Sequence, residues 1–249
     1  MSLSEKYRRR YPLRRVLQWL ARLALSTLAD VRVEGRENFP KHGPLLMVGN
    51  HFSFIDPVVF VGFAPWPVDF VGGANFPNAP RIVRWIPKLW GYLPLYRGTG
   101  ATSALREAEK VIKRGGVLGI FPEGGSWATV LRPARPGAAY LSTRTGAKLL
   151  PVGLDGLPEV FPALRRFKRA RVTIRIGKPF GPFKAKGTRR EQRKAVDEIG
   201  NKIMQRIAEL LPPERRGYYS DDPAIRQAAK ESAAYPWEHA VEGEVKGIY

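Results

Sequence analysis

The sequence predicts an α/β fold: a single domain with a mostly parallel central sheet flanked by helices, preceded by an amphipathic N-terminal helical segment. Short apolar runs alternate with segments in which apolar residues recur at helical spacing, which is typical of parallel strands joined by helices. With 44% hydrophobic residues, the 249-residue chain can bury one sizeable core. We therefore expect a basic amphipathic segment over residues 1–30, a domain over 31–211 and a polar tail over 212–249.

The predicted strands are short and are bounded by glycine and proline. Apolar or alternating runs predict strands over residues 31–35, 45–49, 68–71, 93–96, 117–121, 148–154 and 171–176. Helical spacing predicts helices over residues 58–63, 102–114, 137–145, 189–211 and, in the tail, 223–234. Thr188 and Glu191 have capping-box spacing at the start of the longest helix. Because ligands bind at the carboxyl ends of parallel strands, the turns after these strands are the expected places for functional residues.

The composition restricts the possible classes of function. The 42 Lys and Arg residues against 22 Asp and Glu residues give a formal net charge of +20, which implies an anionic partner such as nucleic acid, an acidic membrane surface, an acidic protein or a phosphate ligand. The absence of cysteine excludes disulfides, thiolate catalysis and cysteine-based zinc sites, and the 3 histidines are too few and scattered for a metal site. No stretch reaches the roughly 18 uncharged apolar residues of a spanning helix, so we expect a protein that is soluble or lies on a membrane.

Positive charge is concentrated in two segments. In the first, residues 1–30, seven Lys and Arg residues accompany an apolar stripe over residues 16–29. This pattern predicts an interfacial helix whose arginines meet anionic headgroups while leucines and Trp19 reach the acyl boundary. A cleaved signal peptide and an ordinary amphipathic helix packed on its own domain are the alternatives. The second segment, residues 164–190, contains eleven basic residues and no acidic one, and it is what would favour a nucleic-acid-binding protein.

The run from Leu45 to Pro57 places a histidine and an aspartate around one turn. In a continuous helix His51 and Asp56 would lie about 140° apart, on different faces. A strand that ends near Gly49, followed by a turn and a helix, can instead return the Asp56 carboxylate to one imidazole nitrogen and leave the other facing a cleft. That arrangement is an oriented general base. A His-x4-Asp motif alone is frequent by chance, so the motifs that follow it in the chain determine whether it indicates a catalytic role.

Three further blocks follow this motif: Leu93–Gly98, Ile120–Ser126 and Leu149–Gly153. Taken in this order, the four blocks resemble the glycerolipid acyltransferase family, whose members acylate lysophosphatidic acid or glycerol 3-phosphate. The resemblance extends over about residues 33–179. It implies that Arg97 holds the acceptor phosphate, that Glu123, Gly124 and Gly125 bind substrate, and that Asn50 and Pro151 support the site.

The third block departs from the family pattern. The family commonly places an arginine shortly after the Glu-Gly pair, whereas this chain continues with Gly125, Ser126 and Trp127. A phosphate-binding cation is therefore missing. Either Arg132 or Arg135 replaces it from the following loop, or the acceptor differs from lysophosphatidic acid.

The resemblance implies transfer of a fatty acyl group from acyl-CoA or acyl carrier protein to the hydroxyl of lysophosphatidic acid or a related lyso-glycerolipid. His51 would be the base and Asp56 its orienting group, with no acyl-enzyme, because no serine lies in a nucleophile elbow. No cofactor and no metal are expected. The expected location is the cytoplasmic face of the membrane, peripheral or monotopic. The expected partners are an anionic lipid surface, the lyso-glycerolipid acceptor, and acyl-CoA or an acidic acyl carrier protein. The alternatives are glycerol 3-phosphate or a glycolipid as acceptor, a lipid-binding relative without activity, and a nucleic-acid binder, although no known nucleic-acid module is present.

Overall fold

The computed structural model describes residues 11–73, 89–95, 101–126 and 128–233. Its strands are β1 (Ala29–Glu34), β2 (Leu45–Gly49), β3 (Asp69–Gly73), β4 (Leu93–Leu95), β5 (Val117–Ile120), β6 (Lys148–Asp155) and β7 (Ala170–Ile176). They form one seven-stranded sheet in the order β1-β7-β6-β2-β5-β3-β4. Every pairing is parallel except that of β6 with β7, so the predicted mostly parallel sheet is confirmed.

The helices of the described residues are α1 (Tyr11–Leu28), α2 (Asp56–Phe63), α3 (Ala101–Lys113), α4 (Gly137–Thr145), α5 (Val160–Leu164), α6 (Arg189–Ala208) and α7 (Pro223–Ala233). The predicted capping box opens α6: Thr188 accepts a hydrogen bond from the Glu191 backbone amide, and the Glu191 side chain returns to Thr188. Proline in the first turn of α2 needs no amide hydrogen bond, as the sequence predicts.

Strand β2 lies at the centre of the sheet, and all five of its residues are buried. Because successive side chains of a strand point to opposite faces, β2 contributes to two separate apolar cores. Leu46 and Val48 pack in the core beneath α3, α4 and α6, whereas Leu45 and Met47 pack in the core beneath α1, α2 and α5. Burial on both faces explains why β2 has no polar alternation in its sequence.

Helix α1 packs on the domain through polar side chains. Arg14 and Gln18 are each only 3% exposed. The Arg14 guanidinium donates to the backbone carbonyls of Trp90 and Gly91 at 2.9 and 3.0 Å and pairs with the Asp69 carboxylate at 2.8 Å. Buried charge of this kind is stable because it is both paired and hydrogen-bonded.

The remaining polar contacts of α1 reach the carboxyl end of α2, whose last carbonyls have no partner within the helix. Gln18 donates to the carbonyl of Val61, and Arg22 donates twice to that of Gly62. Just beyond the helix, Arg15 donates to the Pro65 carbonyl. Arg14 is therefore buried away from any lipid, and exposed Arg15 and Arg22 bind backbone carbonyls of the domain. The predicted contact of Lys6, Arg8, Arg9 and Arg10 with lipid headgroups lies outside the described residues and stays a prediction.

The opposite side of α1 is apolar and exposed. Its exposed apolar side chains are Tyr11, Leu13, Val16, Trp19, Leu20, Leu23 and Leu28, with Trp19 60% exposed. The helix is thus amphipathic, as predicted, but its polar side faces the protein. No helix in the part of the chain that the structure describes has the length and hydropathy of a membrane-spanning segment.

The described part of the predicted tail packs against the domain. The Leu131 amide donates to the Arg215 carbonyl and the Tyr218 amide to the Leu131 carbonyl, both at 3.0 Å. Gly217 fits here because a Cβ atom on it would lie 2.5 Å from the Leu131 carbonyl oxygen. The structure therefore shows no separation at residue 212. Likewise α1 passes directly into β1, so residue 30 lies within a strand of the sheet.

The polar attachment of α1 yields a stability prediction. Replacement Arg14→Met leaves the Asp69 carboxylate and two carbonyls without their donor, and should lower the free energy of unfolding by about 2–4 kcal/mol. Replacement Leu20→Gln, on the exposed side of the same helix, should change it by no more than about 0.5 kcal/mol. Urea unfolding of the two variants measures both values. A larger loss for Leu20→Gln than for Arg14→Met would show that α1 packs through its apolar side.

Candidate active site

Asn50 fastens the turn that follows β2. Its side chain is fully buried and makes two 2.7 Å hydrogen bonds with Leu154 of β6, donating to the Leu154 carbonyl and accepting from its amide. Gly49 is needed just before it, because a Cβ atom there would lie 2.6 Å from the Phe60 ring. The turn therefore leaves the sheet in a fixed direction.

His51 and Asp56 meet as the sequence predicts. Asp56 is the first residue of α2, and its Oδ2 lies 2.8 Å from the Nδ1 of His51. The backbone amide of Ser53 also donates to this oxygen, at 2.7 Å. A carboxylate at the amino end of a helix is stabilised by the helix dipole, so the same turn orients the histidine and holds its partner.

The carboxyl group of Asp56 is completely buried. Burial raises the pKa of Asp56 above its ordinary value, while the hydrogen bond and charge of His51 and the amides of Ser53 and Phe52 act in the opposite direction. When Asp56 is ionised its carboxylate can only accept, so Nδ1 of His51 carries the proton of this contact and Nε2 is the nitrogen left to act as a base.

The imidazole ring of His51 stacks on Phe121, with ring centroids 4.3 Å apart and planes 16° from parallel. Phe121 is in turn held by Phe60 and Phe70. The His51 side chain remains 16% exposed, and its ring makes no hydrogen bond besides that to Asp56 among the described residues. Sequence reasoning missed Phe121, although its place directly after β5, the neighbour of β2, is a usable signal.

Glu123 connects the turn after β2 with the loop after β5. Its carboxylate is 1% exposed and accepts the backbone amide of His51 at 2.8 Å and that of Arg132 at 3.3 Å. The Arg132 guanidinium completes the pair, with Nε 3.2 Å from Oε2 of Glu123. Burial raises the pKa of Glu123 to about 7, opposed by the charge of Arg132 and by the two amides.

Gly124 and Gly125 carry the chain over Arg132. Gly124 has φ of 77°, a conformation that favours glycine, and the Gly125 carbonyl accepts a hydrogen bond from the Arg132 guanidinium. Arg132 is only 2% exposed and points at Glu123. It therefore does not present an open cation to a substrate in this structure, contrary to the expectation for the missing arginine.

Arg135 lies in a different environment. Its backbone amide donates to the Pro122 carbonyl at 2.7 Å, its side chain is exposed, and its Cγ would lie 3.3 Å from a Cβ atom placed on Gly124. Pro151 is buried in β6 opposite Val48 of β2, where its carbonyl accepts the Gly177 amide. Arg97 lies outside the described residues. Those residues contain no cluster of three or more metal-ligating side chains.

The mostly parallel α/β sheet carries a His–Asp pair after its central strand and a buried glutamate after the neighbouring strand, an arrangement that can provide an oriented general base. A family model described as "Acyltransferase" matches residues 30–155, half of the chain. The chain belongs to this family, specifically to the glycerolipid acyltransferases.

Individual relatives agree with this assignment. The chain is 24% identical to a 1-acyl-sn-glycerol-3-phosphate acyltransferase of Bacillus subtilis over 76% of its own length and 92% of the relative's. It is 28% identical to the enzyme of the same name from Borreliella burgdorferi, over 55% of this chain and 53% of the relative. The crystal structure of the 1-acyl-sn-glycerophosphate (LPA) acyltransferase PlsC from Thermotoga maritima is similar with a TM-score of 0.56 and 28% identity, covering 76% of this chain and 77% of that one.

The buried Glu123–Arg132 pair yields a prediction about stability. Each of Glu123→Leu and Arg132→Leu should lower the free energy of unfolding by about 3–5 kcal/mol, because each leaves one buried charge unpaired. The double variant should be less destabilised than the sum of the two, with a coupling of at least about 1 kcal/mol. Denaturant unfolding of the four proteins gives this coupling. Additive losses would mean that the two groups are stabilised by other partners.

Proposed function

We propose that this protein transfers a fatty acyl group from acyl-CoA or acyl carrier protein to the hydroxyl of lysophosphatidic acid or a closely related lyso-glycerolipid. The observation that carries the proposal is the 2.8 Å contact between His51 and the buried Asp56 at the carboxyl end of the central strand. The names of the three curated relatives, all 1-acyl-sn-glycerol-3-phosphate acyltransferases, support this acceptor over glycerol 3-phosphate or a glycolipid.

In the proposed reaction Nε2 of His51 takes the proton of the acceptor hydroxyl as its oxygen attacks the thioester carbonyl carbon. Asp56 stabilises the resulting imidazolium through Nδ1. The carbon–sulfur bond then breaks, and the leaving thiolate takes the proton from Nε2, so the histidine returns to its neutral form. Phe121 and Glu123 act as positioning residues, because one holds the ring and the other holds the backbone amide of His51.

For the acceptor phosphate we propose Arg135 in place of the arginine missing from the third block. Arg135 is exposed beside Gly124, whereas Arg132 is buried against Glu123. Guanidinium groups bind phosphate oxygens in a planar fork, so an exposed arginine at this edge suits the role. The phosphate-binding role of Arg97 remains a prediction.

We further propose that the protein works at an anionic membrane surface, on the cytoplasmic face. The exposed apolar side of α1, centred on Trp19, Leu20 and Leu23, is the support for this setting. The net charge of +20 favours anionic lipid. In this arrangement lipid contacts are made by apolar side chains of α1, and its arginines hold the helix to the domain.

The proposed mechanism predicts unequal losses at the two catalytic positions. His51→Ala should lower kcat by about 10²–10⁴, since it removes the base. Asp56→Asn should cost less, because the base remains but loses its orienting carboxylate. Ser53→Ala and Ser126→Ala should keep most of the activity, because the mechanism uses no acyl-enzyme. Transfer of labelled acyl groups from acyl-CoA to lysophosphatidic acid measures all four, and an inactive Ser53→Ala or Ser126→Ala variant would contradict direct attack.

The proposed role of Arg135 predicts a defect confined to the acceptor. Arg135→Gln should raise the KM for lysophosphatidic acid about tenfold, the usual effect of losing a hydrogen bond to a charged group, and leave the KM for acyl-CoA nearly unchanged. Lys148→Gln removes an exposed charge at the amino end of β6 and should alter neither value. If Arg135→Gln raises only the acyl-CoA KM, Arg135 belongs to the donor site.

A further inference from the structure

An aromatic side chain surrounded by cations lies at the tip of the turn between α5 and β7. We call residues 165–169, with the sequence Arg-Arg-Phe-Lys-Arg, the Phe167 turn. Phe167 is 101% exposed, and Arg165, Arg166, Lys168 and Arg169 are exposed around it. No ion pair of these four cations occurs in the part of the chain that the structure describes, so their charge is not neutralised by neighbouring carboxylates.

The backbone at Phe167 is one that normally selects glycine. The Lys168 amide donates to the Ala163 carbonyl and the Phe167 amide to the Leu164 carbonyl, which is the Schellman pattern at the end of α5. Phe167 occupies the left-handed position of this motif, with φ of 54°. A phenylalanine there strains the backbone and, being fully exposed, gains no packing in return. A strained residue without a packing reason points to a function outside the folded domain.

The Phe167 turn lies at the same edge of the sheet as the candidate active site. Strands β6 and β7 are antiparallel with Asp155 opposite Thr173, so Ala170 extends about 10 Å beyond the carboxyl end of β6. Because β6 and β2 are parallel, the carboxyl end of β6 lies at the same end of the sheet as the carboxyl end of β2, and the residues after β2 lead to His51. Two strand spacings, about 10 Å, separate β7 from β2 across the sheet.

The turn is also joined to the end of α1. The Arg169 guanidinium donates to the carbonyl of Ser26, in the last turn of α1, and to that of Ala29, the first residue of β1. Exposed Leu28 lies between them in sequence. On the active-site side, half-exposed Phe161 of α5 stacks on Phe54, with centroids 5.5 Å apart, and Phe54 lies between His51 and Asp56. Hydrogen bonds of Arg169 thus connect the turn with the end of α1, and aromatic stacking connects α5, which precedes the turn, with the catalytic loop.

The basic residues beyond β7 belong to a different surface. Phe180 pairs with Leu149 near the amino end of β6, so the chain from Lys178 onward lies at the opposite edge of the sheet. Lys184 and Lys186 are exposed there. The basic segment of residues 164–190 is therefore divided between two edges, and only its first part is beside the candidate active site.

We propose that the Phe167 turn is a second membrane contact, in which Phe167 enters the acyl boundary of an anionic bilayer while Arg165, Arg166 and Lys168 bind phosphate headgroups. The inference rests on the proposed function. An apolar tip ringed by cations is the arrangement of side chains that insert into the lipid interface. A protein partner would need a pocket for a side chain that projects entirely from the surface, and for this reason we favour lipid over an acidic carrier protein.

The test compares binding of full-length variants to vesicles of phosphatidylcholine with and without about 30% phosphatidylglycerol, because anionic lipid gives the vesicle surface the negative potential that attracts basic residues. Phe167→Gly should lower the partition coefficient about fivefold to twentyfold, because burial of the ring is lost. Its melting temperature should equal or exceed that of the unaltered chain, because glycine fits the left-handed backbone. Phe167→Leu, which keeps an apolar tip, should retain most of the binding.

A second pair of variants separates the effect of positive charge at the Phe167 turn from the effect of the net charge of the protein. Arg165→Gln/Arg166→Gln should lower the partition coefficient tenfold to thirtyfold, about the expected effect of two cations near a lipid surface. Lys184→Gln/Lys186→Gln removes the same charge from the opposite edge and should have less than a threefold effect, since distant charges are screened at about 0.15 M salt. Equal losses in the two double variants would overturn the proposal, because net charge would then explain binding.

The α1 variant Leu20→Gln/Leu23→Gln tests the proposed membrane setting separately. If it reduces binding while Phe167→Gly and Arg165→Gln/Arg166→Gln do not, the setting holds and the role of the turn is refuted. If those turn variants instead raise only the KM for acyl carrier protein, the turn docks the donor protein. If the unaltered chain binds neither vesicle, both the membrane setting and the role of the turn are refuted, whereas acyl transfer to a dispersed short-chain acceptor still reports on the chemistry.

Discussion

The buried carboxylate of Glu123 is the constraint on which the candidate site depends. It accepts the amide of His51 from the turn after β2 and the amide and guanidinium of Arg132 from the loop after β5. The loops that follow two neighbouring strands are thus joined through one buried side chain. Because the hydrogen bond is to the backbone of His51, it fixes where the imidazole begins, while Asp56 and Phe121 fix how it is turned. Position and orientation of the base are thus set by different groups.

The positions of the strands along the chain and the His–Asp contact were predictable because both follow from local sequence: apolar runs bounded by glycine, and a turn short enough to return Asp56 to His51. The environment of Arg132 was not. Its pattern in the sequence is that of a loop cation, and its burial depends on Glu123, nine residues earlier, being itself buried. The stacking of Phe121 on His51 likewise depends on β2 and β5 being neighbours, which no spacing within one segment reveals.

Helix α1 shows the same limit more clearly. Periodicity finds an apolar stripe and a polar stripe, but it does not tell which of them faces the protein. That choice is made by acceptors elsewhere in the chain, the unpaired carbonyls at the end of α2, about 40 residues away, together with Asp69. Arginine and glutamine satisfy them, so the apolar stripe remains outside. The basic segment after α5 was similarly read as one unit, whereas the antiparallel return of β7 carries its two halves to opposite edges of the sheet.

Helix α2 therefore has a distinct role at each end. Its first residue, Asp56, supplies the carboxylate that orients His51, and its last carbonyls accept hydrogen bonds from side chains of α1. Eight helical residues span about 12 Å. The catalytic carboxylate consequently stands at a constant height above the helix whose leucines and tryptophan face outward. If the exposed side of α1 contacts a lipid layer, as proposed, the length of α2 therefore determines how far the catalytic base lies from that layer.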